Sequence, residues 1–350
     1  MHLFGLLPSD LASHLRANGV DVRDAEARRV IAHVMAGRRG FPTSRPVPRK
    51  VEEAIERLTT RIPLEIVERA TDPSDGFVKY LFRLHDGALA EAVRIPLENG
   101  KFTVCISSQA GCAMGCSFCA TGRLGLIRNL EPWEIVAQWM TVRDEAPGVV
   151  TGALFQGQGE PLHNYAAVMQ AAAILAHPCG GRIAAKNITI STVGLVPQIL
   201  RFAREHQPYR LIVSLTSAID DRRRSLLPSA SAWPVRELAD AVRVYQQSAG
   251  GRATIAWVVL GGINTGADEV SALRALFDGV PLRLNLIDVN DARPDGYRRA
   301  TDVELASFRD ELRTLGIPIV RRYSGGAAKH AACGMLAAMK SNADVASPAV

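Results

Sequence analysis

The chain has 350 residues, of which 47% are hydrophobic, 22% charged and 6% aromatic, with a formal net charge of +6. This length suits an enzyme core with a small appendage, and the composition excludes a disordered chain, a collagen-like repeat and a disulfide-dense miniprotein. No apolar run reaches the roughly 18 residues of a membrane span and the first residues do not read as a secretory signal, so the expectation is a cytoplasmic protein with no membrane partner.

Taken in chain order, the first part is helical. Leu7, Leu11 and Leu15 share a helical face that Asn18-Gly19 would close, a second run carries Arg28, Arg29 and Val34, and Val51, Ile55 and Leu58 mark a third. Residues 1–50 hold nine Lys or Arg against four Asp or Glu, nearly the whole excess charge of the chain. Arginine supplies 35 of the 41 basic residues, which permits a nucleic-acid partner because its planar fork pairs with phosphate and stacks on bases. A GC-rich coding bias would produce the same arginine excess. Residues 1–95 are therefore taken as a small basic helical domain with a linker strand.

From about residue 100 the chain alternates. Apolar, β-branched segments at 102–107, 153–156, 187–192, 210–215, 254–260, 282–287 and 317–321 are separated by helical patterns. In one of these Pro234 suits the first helical position and Val235, Leu238, Val242 and Tyr245 form a face. In the last, Thr301 and Glu304 have capping-box spacing. Six or seven βα units predict an α/β fold with a parallel sheet, and periodicity leaves open whether it is doubly wound or a full or partial barrel. The core is assigned to residues 96–328 and a C-terminal segment to 329–350.

Six cysteines occur, three of them in Cys112-Ala-Met-Gly-Cys116-Ser-Phe-Cys119, directly after the first of these strands. A cytosolic chain of this size needs no disulfide staples, so the cluster points to metal or redox chemistry. Such a loop can turn three thiolates to one place, as an iron–sulfur cluster requires, whereas zinc would need a fourth ligand and no His or Cys follows at finger-like spacing.

The triplet at this position resembles the radical S-adenosylmethionine (radical SAM) superfamily. The resemblance implies a partial (β/α)6 barrel and a [4Fe-4S] cluster held by Cys112, Cys116 and Cys119, its open iron binding SAM. One βα unit later, Gln156-Gly157-Gln158-Gly159-Glu160-Pro161-Leu162 resembles the cofactor segment, with Gly159 approaching SAM and Glu160 meeting its ammonium. Cys105-Ile-Ser-Ser-Gln-Ala-Gly-Cys112, Ser191, Ser214-Leu215, and Asn285-Leu-Ile-Asp-Val-Asn290 are similar to segments of the RlmN and Cfr RNA methyltransferases, which modify adenine. Ala331-Ala332-Cys333-Gly334 resembles their second catalytic cysteine.

Carried over residue by residue, the resemblance implies that Cys333 takes a methyl from one SAM, that a second SAM yields the radical that activates this methyl, and that adenine C2 or C8 receives it. It further implies that Glu91 accepts the proton of the adduct and that Cys105 attacks the Cys333 sulfur to form a transient disulfide. Gly159, Glu160, Ser191, Ser214, Leu215, Thr216 and Asn290 are the implied SAM contacts. The implied partners are ribosomal or transfer RNA and an electron donor such as flavodoxin or ferredoxin, with the enzyme acting as a monomer.

The chain departs from the family at Gln158, where Met is usual, at Thr216, where His is usual, and at Asp288-Val289-Asn290-Asp291, which replaces Pro-Trp-Asn-Pro. Cys179 has no matching role and is read as structural. Arg222-Arg223-Arg224 and Arg321-Arg322 are candidate phosphate contacts. Two other readings compete. One is a radical SAM enzyme performing a different hydrogen abstraction on a non-RNA substrate, and the other is a non-catalytic iron–sulfur or zinc protein.

Overall fold

The computed structural model describes residues 1–291, 293, 296–322, 332 and 334–336. Helices α1 (Pro8–Ala17), α2 (Asp24–Met35) and α3 (Arg49–Leu58) open the chain at the three runs that sequence periodicity marks. Gly19, at φ 75, turns the chain after α1 in a left-handed conformation that glycine adopts without steric cost. Leu11, Leu15, Val30, Ile31, Val51 and Ile55 are buried, and they belong to the same continuous apolar core as the helices and strands that follow.

Strands β1 (Glu65–Thr71), β2 (Val78–Arg83) and β3 (Leu89–Pro96) come next and pair antiparallel in that order. They continue the main sheet through an antiparallel pairing of β3 with β4 (Phe102–Ile106). Sequence patterning marks only a linker strand here, because β1 is mostly exposed and β2 and β3 are buried in continuous runs, so none of the three alternates.

After β4 come a small antiparallel pair, β5 (Gln109–Gly111) and β6 (Leu126–Asn129), with helix α4 (Ala120–Leu124) between them. The alternating part then runs α5 (Pro132–Asp144), β7 (Val150–Phe155), α6 (Tyr165–Ala176), β8 (Ile188–Thr192), α7 (Val196–Arg204) and β9 (Arg210–Ser214). It continues through α8 (Asp220–Leu226), α9 (Val235–Ala249), β10 (Ala253–Val259), α10 (Ala267–Leu276), β11 (Leu282–Asp288), α11 (Asp302–Arg313) and β12 (Ile319–Arg322). The strands fall on the seven segments expected from the sequence. Thr301 caps α11 in the expected box with Glu304, while Pro234 is the N-cap of α9 and not its first helical residue.

The order β4-β7-β8-β9-β10-β11-β12 answers the question that periodicity left open. Each parallel strand is added on the same side of its predecessor, so right-handed crossovers place all the helices on one face. A sheet covered on one face and wound in one direction curls into a barrel; a doubly wound sheet needs a reversal of strand order. Side chains alternate accordingly. Leu211 and Val213, Ile255 and Trp257, and Leu284 and Leu286 are buried toward the helices, with Trp257 against Phe308 of α11 at 5.9 Å between ring centroids. Ile212, Ala256 and Ile287 form a separate small cluster on the lumen side. Among the described residues β1 and β12 lie at opposite ends of the sheet and do not pair, so the barrel is partial.

Candidate active site

In a parallel barrel the carboxyl ends of the strands are where loops gather, and the cysteine loop is built there. Gly111 has φ 74, and a Cβ on it would sit 2.0 Å from the Gly125 carbonyl, so the β5–β6 clip tolerates no side chain. A Cβ on Gly122 would lie 2.8 Å from the Cys116 nitrogen, which lets the loop wrap tightly against α4. The Cys112 N–H donates to Gly125 O at 2.8 Å, Cys119 N–H to Cys116 O at 3.1 Å, and Ser117 N–H to Leu226 O at 3.0 Å. Cys112 and Cys116 are buried and Cys119 is half-buried.

Burial pushes the Cys112 thiol up to about 12 and raises Cys116 as well, the neighbouring cysteines adding to both. Thiolates are therefore expensive in this loop unless cationic metal accompanies them. Among the described residues no three His, Cys, Asp or Glu side chains are arranged to grip a single metal ion, yet the three thiols line one cleft. This donor set fits a cluster whose sulfur ligands bind separate iron atoms better than it fits tetrahedral zinc.

Opposite the loop, the cleft is lined by Gly157, Gly159, Glu160, Ser191, Ser214 and Asn290. The glycines are required by close approach. A Cβ on Gly157 would meet the Ile106 carbonyl at 2.7 Å, and one on Gly159, at φ +99, would meet Gln109 Cβ at 2.5 Å. Gln109 also accepts from the Glu160 N–H at 2.8 Å and thereby fixes the turn.

Glu160 is 1% exposed. Its carboxylate accepts from Leu162 N–H at 2.9 Å and from Val193 N–H at 2.8 Å, and among the described residues it forms no ion pair. Burial still outweighs these hydrogen bonds and raises the carboxyl to about 7. A buried acid on a cleft wall without a cation suits a ligand that brings an ammonium group, as SAM does.

Two of the SAM contacts expected from the sequence lie elsewhere. Leu215 is buried in the main core, and Thr216 is fully buried at φ 61 with a hydroxyl that has no hydrogen-bond partner among the described residues; neither lines the cleft. Asn290 donates to Asp288 O at 3.2 Å and accepts from Arg299.

Glu91 and Cys105 sit behind the cleft wall. Glu91, 1% exposed, pairs with Lys79 Nζ at 3.1 Å through one oxygen and accepts from Gln158 Nε2 at 3.1 Å through the other. Burial raises its carboxyl, and Lys79 and Gln158 oppose that rise. Ser107 ties the network together, its hydroxyl donating to Glu91 O at 2.5 Å and accepting from Gln158 N–H at 2.8 Å. Cys105 packs with Phe77, Val93 and Leu336.

Cys333 lies outside the described residues. Its flanking residues do not: Gly334 O accepts from Ala120 N–H at 2.8 Å, Leu336 O accepts from Thr121, and Gly334 and Leu336 line the cleft beside the cysteine loop. Lys79, Ser107 and Gln109 were missed as individual residues. Their signal lay inside the segment from Cys105 to Cys112 and in a basic residue on an otherwise apolar strand.

Arg222, Arg223, Arg224 and Arg321, singled out as phosphate contacts, have protein partners. Arg222 pairs with Glu269 at 2.6 Å and Asp268 at 2.9 Å, Arg224 with Asp221, and Arg321 with Asp288 at 2.8 Å. Arg223 is 2% exposed and donates to the Val193 carbonyl. Cys179 is half-buried, packs on the core and donates its N–H to His177 Nδ1 at 3.0 Å, in keeping with a structural residue.

Comparison with known proteins agrees with this geometry. Residues 106–270 match the radical SAM superfamily. A probable RNA methyltransferase of Anaeromyxobacter sp. strain Fw109-5 is 49% identical over 340 residues, which cover 96% of this chain and 98% of that protein. The dual-specificity RNA methyltransferase RlmN of Anaeromyxobacter dehalogenans is 36% identical, covering 95% of this chain and 91% of its own. A crystal structure of a radical SAM methyltransferase from Sphaerobacter thermophilus superposes with a TM-score of 0.87 at 35% identity, covering 96% of this chain and 98% of that one. With the cysteine loop, the glycine-lined cleft and relatives spanning nearly its whole length, the chain belongs to the radical SAM superfamily, in the RlmN-type methyltransferase family.

Proposed function

We propose that the protein is a radical SAM RNA methyltransferase that methylates an adenine carbon, C2 in preference to C8, in ribosomal or transfer RNA. Cys112, Cys116 and Cys119 would hold a [4Fe-4S] cluster, and Gly159, Glu160, Ser191, Ser214 and Asn290 would hold SAM, with Glu160 facing its ammonium. When bound, the cluster and SAM supply a 5′-deoxyadenosyl radical, which makes an otherwise inert methyl group reactive toward an sp2 carbon.

The remaining steps fall to the chain's own residues. Cys333 takes a methyl from SAM by displacement, as a nucleophilic thiolate. Glu91 accepts the proton lost from the base adduct, and Cys105 attacks the Cys333 sulfur to release the product and leave a disulfide. Flavodoxin or ferredoxin would supply electrons to a monomeric cytoplasmic enzyme. No helix among the described residues is long and apolar enough to cross a membrane.

The observation that carries this reading is the position of the C-terminal segment. Gly334 and Leu336, just after Cys333, lie beside the cysteine loop, and Leu336 lines the cleft while packing on Cys105. A cluster and SAM alone would serve many reactions, whereas a C-terminal segment that reaches from the cysteine loop to Cys105 suits methyl transfer through sulfur. The test is the mass of the Cys333 peptide after cluster-loaded protein is exposed to SAM without RNA. One added methyl, lost in Cys333→Ala, is expected. Protein that cleaves SAM and leaves Cys333 unmodified would instead be performing a different hydrogen abstraction.

A further inference from the structure

The partial barrel has a second opening, at the amino ends of its strands. A cavity of about 610 Å³ lies there, lined by Lys186 ahead of β8, Arg210 at the start of β9, Arg252 ahead of β10, Arg283 on β11 and Arg322 on β12. Among the described residues no Asp or Glu lines it. The contrast with the rest of the molecule is clear, since Arg222, Arg224 and Arg321 all hold carboxylates. Lys186, Arg210, Arg252 and Arg283 are exposed, and their side chains make no hydrogen bond or ion pair with any described residue.

The position is informative. Register pairs Thr254 of β10 with both Ile212 and Arg283, so Arg283 stands on the lumen face, and Arg210 lies one inward position below Ile212. Inward positions near the floor of a closed barrel are ordinarily filled by packed apolar side chains. Here the apolar filling is one thin group, Ile212, Ala256 and Ile287; Ile287 lines the upper cleft and Ile212 the lower cavity. The two openings are thus ends of one lumen.

The cations also climb the β11–β12 side of the barrel. Arg283 is near the start of β11, and Arg322, on β12, is level with Ile287 near the mouth. From β8 to β12 is four inter-strand steps, roughly 19 Å at about 4.8 Å per step. Charges spread over that length suit a chain of phosphates better than one small anion, which would need donors converging on a point.

We propose that this cavity is a phosphate-binding surface for RNA, contacting the sugar–phosphate backbone of the substrate on the side of the barrel away from the cysteine loop. The inference rests on the RNA reading given above and names residues for it that, Arg322 apart, differ from those the sequence singles out. Arg210, Arg252 and Arg283, exposed and holding no carboxylate among the described residues, bring counterion release without first having to break an ion pair.

The experiment measures binding of bulk unmodified transfer RNA to the cluster-loaded protein across a salt series. Replacing Arg210, Arg252 and Arg283 together by Gln should lower the slope of log K against log salt by about two and weaken binding more than tenfold near 0.1 M salt. The matching Lys triple variant keeps the charge and should retain the wild-type slope, which separates charge from loss of fold. Arg224→Gln removes an arginine already paired with Asp221 and should change nothing. A Gln triple variant with wild-type slope and affinity would overturn the inference while leaving the methyltransferase reading intact. Wild-type protein that binds no RNA would overturn both, and methyl loading of Cys333, measured on the same wild-type preparation, would then show how much of the chemistry survives.

Discussion

Lys79→Met tests whether the buried carboxylate behind the cleft is held charged by its partner. Lys79 Nζ lies 3.1 Å from Glu91 Oε1, with side-chain exposures of 14% and 1%. At that separation and an effective dielectric near 20, the pair attraction is about 5 kcal/mol. Removing one member of a buried pair ordinarily costs about 3–5 kcal/mol, because the other charge is left uncompensated.

Glu91 can escape part of this cost by taking up a proton. Burial already raises its pKa above the unfolded value, and Lys79 is the largest opposing influence. A carboxyl raised in this way contributes stability that is fully present below its unfolded pKa and is lost as the pH rises through the folded pKa. The Met variant raises the folded pKa further, so its penalty should be greatest above neutrality and should shrink as the pH falls and Glu91 becomes neutral in both proteins. Urea denaturation at several pH values between about 5 and 8 would read this, with m unchanged. We expect a loss of about 3 kcal/mol at the upper end that declines steadily toward the lower. A loss that does not vary with pH would refute the reasoning, because it would mean that Lys79 contributes packing alone.

Two further outcomes follow from the site. Cys116→Ala should abolish iron–sulfur assembly and 5′-deoxyadenosine formation together, read by iron and sulfide content and by chromatography; a variant that still makes 5′-deoxyadenosine would remove the loop's assigned role. Gly159→Ala places a Cβ 2.5 Å from Gln109 Cβ in a left-handed conformation, so SAM binding measured by equilibrium dialysis should fall at least tenfold while the cysteine loop still takes up iron.

Local patterns in this chain are decisive wherever short-range physics sets the structure. The β-branched runs specify the parallel strands, the Thr301 and Glu304 spacing specifies a helix start, and the C-x3-C-x2-C spacing specifies three thiols in one loop. The family resemblance singles out Glu160, and the structure shows there a buried carboxylate without a cation among the described residues.

Other features depend on which distant segments meet. Strand order alone distinguishes a barrel from a doubly wound sheet, and every crossover in either reads alike along the chain. Ion-pair partners are equally hidden. Arg321 and Arg283 both sit on barrel strands, yet one faces Asp288 and the other an acid-free cavity, because a strand's alternating side chains enter different surroundings. Leu215 likewise follows Ser214 directly but turns toward the helices while Ser214 lines the cleft. The sequence determined the N-terminal helices, the parallel strands and which chemistry the cysteine loop can hold, since these depend on residues a few positions apart. Only the folded barrel decided which side chains share a cavity, which charges are neutralised and what stands behind Glu91, because those contacts join residues that the chain itself keeps far apart.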